Sequence, residues 1–96
     1  MQEIVLDNRY YATARHDVLT HIGGSPRRVL EIGCGTGATM AVLRARGGIE
    51  QAVGVELDPA SAEVARAQFD TLFVNPVEQA PFETAIEAGT LDLVLC

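Results

Sequence analysis

The feature that most constrains the fold is a glycine-rich turn between an apolar run and a helical pattern. Residues 30–37 read LEIGCGTG, with three glycines at alternate positions. The segment 28–32 (RVLEI) is short and rich in branched apolar residues, which predicts a buried strand. The segment 39–46 predicts a helix, which Gly47 and Gly48 end. A strand, a glycine turn and a helix in this order favour an open α/β sheet with a ligand at the turn.

The rest of the chain repeats this alternation of strands and helices. The further predicted elements are strands at 51–56, 71–74 and 91–96, a helix at 58–68 that starts with Asp58 as cap and Pro59, and a loop or short helix at 79–88. Near-continuous apolar strands are typical of a parallel sheet covered on both faces. The predicted fold is therefore a Rossmann-like three-layer α/β/α arrangement in which four strands are present.

The N-terminal part predicts a helix at 9–22, because an apolar residue recurs every three or four positions from Tyr11 to Ile22. We expect residues 1–26, which contain this helix, to form an N-terminal helical cap, and residues 27–96 to form the α/β domain. The last predicted strand is apolar and the chain stops inside it, so we expect 27–96 to be the front part of a longer domain. The open edge of such a strand favours pairing with a second copy, as a homodimer.

Composition narrows the class of protein. Thirteen acidic residues against seven basic ones give a net charge of −6, which argues against a nucleic-acid partner. The two cysteines lack metal-ligand spacing, which predicts a reduced, cytoplasmic protein without a metal site. No apolar run approaches the roughly 20 residues of a membrane span, so we expect no membrane partner.

A second acid suggests what the ligand carries. Glu56 lies at the end of the second predicted strand, in GVELDP. A carboxylate at this position can accept hydrogen bonds from both hydroxyls of a ribose, so we expect an adenosine-type ligand.

The first acid separates two classes of ligand. Gly33, Gly35 and Ala38 satisfy the dinucleotide spacing G-x-G-x-x-A, so spacing alone leaves an NAD(P)-dependent oxidoreductase open. Glu31 stands two residues before the first glycine, where it is costly to bury without partners and would repel a pyrophosphate. A ligand with an ammonium or sulfonium group and no phosphate would use this acid, which favours S-adenosylmethionine.

The motifs also resemble those of a known family. VLEIGCGTG followed by GVELDP is similar to motif I and the acidic second-strand motif of class I S-adenosylmethionine-dependent methyltransferases. LDLVLC resembles their fourth-strand motif, and the similarity covers about residues 27–96. Among the family's branches, the match is closest to small-molecule and polysaccharide-associated methyltransferases. The resemblance implies methyl transfer by in-line displacement to a small-molecule or saccharide acceptor, and it identifies no catalytic residue. A cofactor-binding fragment without activity stays an alternative.

The resemblance also implies a set of cofactor-binding residues. Those expected around the methionine and ribose are Glu31, Gly33, Cys34, Gly35, Gly37 and Glu56, with Glu56 on the ribose hydroxyls and Leu57 against the adenine. The family's adenine-contacting aspartate aligns with Pro76, which is a departure, so Asn75 or the backbone near Val77 is expected to substitute. Tyr11 is placed to reach the cofactor's carboxylate. From the residues themselves, Cys34 is expected to fill space, Asp58 to cap a helix and Asp92 to start a strand.

Overall fold

The computed structural model describes residues 2–4, 14, 16–87 and 89–96. Their strands form one parallel sheet with the order β1-β5-β2-β3-β4. The strands are β1 (Gln2–Ile4), β2 (Arg28–Ile32), β3 (Gln51–Val55), β4 (Thr71–Phe73) and β5 (Leu93–Leu95). The predicted fold class, a Rossmann-like α/β fold with a parallel sheet, is confirmed.

The helices begin and end where local signals place them. They are α1 (His16–Leu19), α2 (Ala38–Arg46) and α3 (Pro59–Ala65), with 3-10 turns at Arg66–Gln68, Val77–Gln79 and Phe82–Thr84. The Asp58 side chain accepts a hydrogen bond from the Ser61 N–H at 3.0 Å and so caps α3 as predicted. Gly47, at φ 87°, ends α2, and its N–H donates to the Arg44 carbonyl at 3.0 Å. Within the described residues no helix is long and apolar enough to cross a bilayer.

The N-terminal helix is shorter than predicted. Residues 9–13 and 15 of the predicted helix lie outside the described residues, and Ala14 is not helical. The helix ends at Leu19 because the N–H groups of His21 and Ile22 bond to carbonyls only three residues earlier. Such tight bonds close a last turn instead of extending a helix.

A fifth strand joins the four that the sequence predicted. β1 pairs in parallel with β5, so that Gln2 lies opposite Leu93 and Ile4 opposite Leu95. This strand lies before the helix predicted at 9–22, in the N-terminal segment 1–26, and no strand was predicted there. The edge of β5 that was expected to be open is paired with β1, so that premise of the homodimer is wrong, although the dimer itself stays a prediction.

The two faces of the sheet are covered differently. On one face, Leu19 of α1, Met40 and Leu43 of α2 and Ala65 of α3 pack against the sheet in one buried cluster. On the other face the buried cluster is completed by residues from the 3-10 turns and loops at 77–86. The sheet is therefore the middle layer, as predicted. Among the described residues, one outer layer consists of α-helices and the other of short 3-10 turns and loops.

The sheet order places a ligand-binding position at the end of β2. The chain runs from β2 to β3 and β4 on one side and then crosses to β5 on the other side of β2. Loops that leave such a switch point diverge, and the crevice between them is where open α/β sheets bind ligands. At the opposite end, the Asp92 carboxylate accepts hydrogen bonds from the N–H groups of Arg27 and Arg28 at 2.9 and 3.0 Å. Asp92 therefore ties the starts of β2 and β5 together, which is the structural role expected of it.

Candidate functional site

The glycine turn follows β2 at this switch point. Gly33, Gly35 and Gly37 have φ values of 72°, 59° and 84°, a region that side-chain-bearing residues rarely adopt. The N–H groups of Gly33 and Cys34 both donate to the Val55 carbonyl, at 2.7 and 3.2 Å. The turn is therefore fastened to the end of β3, and the glycines are required by the backbone itself.

Two of these glycines face different surroundings. A Cβ at Gly37 would lie 3.2 Å from the Ala65 Cα and 3.2 Å from the Gln68 Cγ, so this glycine lets α3 approach the turn. A Cβ at Gly33 would meet no atom within 4 Å. Gly33 therefore borders open space, where a ligand could come close to the backbone.

Glu56 connects the glycine turn to the start of α3. Its side chain is only 2% exposed. One carboxylate oxygen accepts from the Gly35 N–H at 2.7 Å, and the other accepts from the Asp58 N–H at 2.8 Å. Each carboxylate oxygen can accept a second hydrogen bond, so Glu56 retains capacity for ligand hydroxyls.

Glu31 is the second buried acid of the site. It is 1% exposed, and among the described residues its Oε1 atom has no hydrogen-bond partner. Burial, together with the smaller effect of the nearby charge of Glu56, raises the pKa of Glu31 to about 8. A buried carboxyl oxygen without a hydrogen-bond partner is unfavourable for the fold, which marks Glu31 as a candidate for function.

Cys34 lies near both acids and is not a nucleophile. Its side chain is buried, and burial raises the pKa of the thiol well above its usual range, with the charges of Glu31 and Glu56 acting in the same direction. Only a thiolate attacks as a nucleophile, and this thiol stays protonated. Cys34 therefore fills space, as the sequence predicted.

A cleft of about 280 Å³ opens at the carboxyl ends of β2, β3 and β4. Its walls include two exposed apolar side chains, Leu57 at 65% and Val77 at 39% exposure, and its polar groups include the Glu56 carboxylate. The lining residues are Ile32, Gly33, Val55, Glu56, Leu57, Asn75, Pro76, Val77 and Glu78. Apolar walls with a few fixed polar groups are typical of sites for small organic ligands.

The structure brings together half of the predicted site residues. Five of them line the cleft: Gly33, Glu56, Leu57, Asn75 and Val77. Glu31, Cys34, Gly35 and Gly37 belong to the turn or strand behind it and do not line it. Tyr11 lies outside the described residues.

Sequence reasoning missed one polar lining residue, Glu78. It lies in the 3-10 turn Val77–Gln79, after the Asn75-Pro76 turn that ends the β4 region. Glu78 directly follows Val77, which was predicted to belong to the site, and this adjacency is the signal that could have identified it. Glu78 adds a second carboxylate to the cleft, on the side of Pro76.

The fold and the cleft define a class, the nucleoside-binding open α/β domains, in which a glycine turn and an acid on the next strand face one crevice. A family model described as a methyltransferase domain matches residues 29–96. The chain belongs to this class I S-adenosylmethionine-dependent methyltransferase family, whose members transfer a methyl group from that cofactor. A search of curated proteins found no match to the chain.

Proposed function

We propose that the cleft binds S-adenosylmethionine and that the chain serves methyl transfer to a small-molecule or saccharide acceptor, in the cytoplasm. The observation that carries this proposal is the cleft itself. It joins the free acceptor capacity of Glu56, the open backbone at Gly33 and two apolar walls at the switch point. Together with the family match, this arrangement suits a nucleoside without phosphates.

The residues present fit the nucleoside half of this cofactor. The Glu56 carboxylate would accept hydrogen bonds from the ribose hydroxyls, because its two oxygens each have one remaining lone pair. Leu57 and Val77, both exposed at the rim, would pack against the adenine faces. Asn75 and Glu78 supply acceptors beside Pro76, where the family pattern has an aspartate. The methionine half would lie along the turn at Gly33.

The chemistry that the cofactor supplies is a methyl group on a sulfonium, which an acceptor displaces in line. The chain's own contribution is orientation and exclusion of water. A donor held at a fixed angle reaches effective molarities of roughly 10⁵–10⁸ M toward a bound acceptor. Glu56 would fix the ribose, and Leu57 and Val77 would cover the adenine. The described residues provide no general base at the cleft whose role we can assign.

The proposal is tested by calorimetry on the full chain with S-adenosylhomocysteine and, separately, with NAD. We expect S-adenosylhomocysteine to bind and NAD to bind at least ten times more weakly. The 2′-deoxyribose analogue of S-adenosylhomocysteine should bind about 10- to 100-fold more weakly, because it lacks one hydrogen bond to a carboxylate.

The control is Glu63→Gln, which changes an exposed acid on α3. This variant should bind S-adenosylhomocysteine like the unmodified chain. Tight binding of NAD without binding of S-adenosylhomocysteine would overturn the proposal in favour of an oxidoreductase. Equal affinity for the ribose and deoxyribose ligands would remove Glu56 from the role given to it.

A further inference from the structure

A second cavity lies on the face of the sheet that the short turns cover, and the proposed function does not use it. Its volume is about 220 Å³, and every residue that lines it belongs to the segment 82–91. We call this cavity the rear groove. Its lining residues are Phe82, Glu83, Ile86, Glu87, Gly89 and Leu91.

The rear groove lies toward the amino ends of the strands, whereas the cleft lies at their carboxyl ends. The side-chain amide of Gln51, the first residue of β3, donates to the Ala85 carbonyl at 2.6 Å. Asp92 directly follows the segment that lines the groove, and its N–H donates to the carbonyl of Arg28, the first residue of β2, at 2.9 Å. These bonds hold the segment at the starts of the strands, so a ligand in the rear groove would not compete with one in the cleft.

The floor of the rear groove is apolar and is held in place by the fold. Ile86 is 8% exposed and belongs to the buried cluster of this face, against which the half-buried Phe82 and Leu91 pack. The N–H groups of Ala85 and Ile86 both donate to the Phe82 carbonyl, at 3.0 and 3.1 Å. A preformed apolar floor lets a ligand bind without first ordering the chain.

Two acids, Glu83 and Glu87, stand on the rim of the rear groove. Both are exposed, and within the part of the chain that the structure describes neither carboxylate has a hydrogen bond or an ion pair. The Ile86 N–H bonds to a carbonyl four residues earlier, so the chain makes one helical turn here and brings residues four apart to the same side. Like charges at this spacing repel each other, and a cation between them would relieve that repulsion.

The charges around the rear groove favour a positively charged occupant. Among the described residues no basic side chain lines it, and the salt bridges of Arg27, Arg44 and Arg66 are made to other acids. The whole chain carries a net charge of −6, so a second copy of it would bring more negative charge to this rim. A cation is therefore the complementary partner.

We propose that the rear groove binds a small organic cation that has an apolar ring or chain and one ammonium group. The apolar part lies on Phe82, Ile86 and Leu91, and the ammonium lies between Glu83 and Glu87. The groove is smaller than the roughly 300–1,000 Å³ of sites for drug-sized ligands, which favours a small molecule over a protein segment. This site is separate from the cleft, so the proposed function stands or fails without it.

The test compares 2-phenylethylamine, which is a cation at pH 7, with 2-phenylethanol, which is neutral and has nearly the same shape. Each is titrated into the isotope-labelled full chain at about 20 mM and at about 500 mM salt, and NMR follows the backbone amides. We expect the resonances of residues 82–91 to shift. At low salt the amine should bind about 3- to 30-fold more tightly than the alcohol, because each exposed carboxylate adds a weak ion pair. High salt should reduce this preference to less than about twofold.

The double variant Glu83→Gln/Glu87→Gln removes both charges and keeps the shape of the rim. In this variant the amine should bind no more tightly than the alcohol, and the affinity for the alcohol should be unchanged. Glu63→Gln, an exposed acid on α3 outside the groove, should behave like the unmodified chain. The salt comparison needs only the unmodified chain, so it decides the matter even if the double variant does not fold.

Several results would overturn the proposal. Equal affinity for the amine and the alcohol at low salt, or a preference that survives in the double variant, would show that the two acids do not hold the ammonium. No binding of either ligand up to about 50 mM would exclude the site. Amine-induced shifts confined to the cleft, or competition with S-adenosylhomocysteine, would place the amine in the cleft. Resonances of 82–91 that change with protein concentration alone would assign the rear groove to a second copy of the chain.

Discussion

The raised pKa of Glu31 predicts that this one acid destabilises the fold at neutral pH. The perturbation is Glu31→Gln, which keeps the shape of the side chain and removes its charge. In the unfolded chain Glu31 titrates near 4.5, and in the folded chain near 8. The folded protein therefore holds the Glu31 proton more tightly, so the contribution of Glu31 to stability is highest below pH 4.5 and falls as the pH rises toward 8.

The magnitude follows from the same two pKa values. Ionising Glu31 at pH 7 removes about 3 kcal/mol of stability relative to low pH, since one pKa unit corresponds to about 1.4 kcal/mol. Domains of this size are stable by about 5–15 kcal/mol, so the loss is a large fraction of the total. Because glutamine does not titrate, Glu31→Gln should lose this dependence of stability on pH. We expect Glu31→Gln to unfold like the unmodified chain near pH 5, within about 1 kcal/mol, and to be about 4 kcal/mol more stable at pH 8.

Urea unfolding, followed by circular dichroism at pH 5.0, 6.5 and 8.0, measures the difference directly. All other side chains are the same in the two proteins, so their contributions cancel in the comparison. Glu63→Gln, an exposed acid on α3, is the matched control and should show no pH-dependent gain. Parallel stability curves for Glu31→Gln and the unmodified chain would refute the reasoning, because they would mean that Glu31 is ionised in the fold without penalty.

Three further predictions concern the glycine turn, Asp92 and the two cysteines. Gly33→Ala and Gly37→Ala should each strain the backbone by about 1–2 kcal/mol. The new methyl group of Gly37→Ala also contacts α3, so this variant should lower the midpoint of urea unfolding more. Gly33→Ala borders the open cleft and should weaken the binding of S-adenosylhomocysteine more. The reverse order would contradict the roles given to these glycines. Asp92→Ala should lower the melting temperature, because two N–H groups at the start of β2 lose their acceptor. The affinity of the folded protein for S-adenosylhomocysteine should stay unchanged. A loss of affinity at full stability would show that Asp92 acts at the ligand-binding cleft. Iodoacetamide at pH 8 should modify the half-buried Cys96 first and reach Cys34 only in urea, as peptide mass mapping would show; early modification of Cys34 would mean that its thiol is ionised.

The parts of the fold that the sequence predicted are those with local causes. The start of α3 follows from Asp58 and Pro59, which cap and open a helix whatever surrounds them. The end of α2 at Gly47 and the buried strand β2 are local in the same sense. Of the five predicted cleft residues, Gly33 and Glu56 followed from the motifs themselves, whereas Leu57, Asn75 and Val77 came from the resemblance to the methyltransferase family. They lie together because parallel strands bring the residues after their carboxyl ends to one edge.

The parts that escaped prediction depend on partners far away in the sequence. β1 is three residues long, and its place is set by pairing with β5 near the other end of the chain, which no periodicity reveals. The length of α1 depends on how its last turn closes. Among the described residues Glu31 Oε1 is buried without a partner while Glu56 holds two backbone N–H groups, and this difference depends on side-chain packing between strands.

The two hydrogen bonds that Glu56 accepts have an entropic consequence. A glutamate free in solution loses rotamer freedom when it grips a ligand, and that loss weakens binding. Here the Gly35 and Asp58 N–H groups have already fixed the side chain as part of folding. A hydroxyl that arrives at this carboxylate meets an acceptor that is held in position beforehand, so the ordering of this side chain is not subtracted again from the affinity.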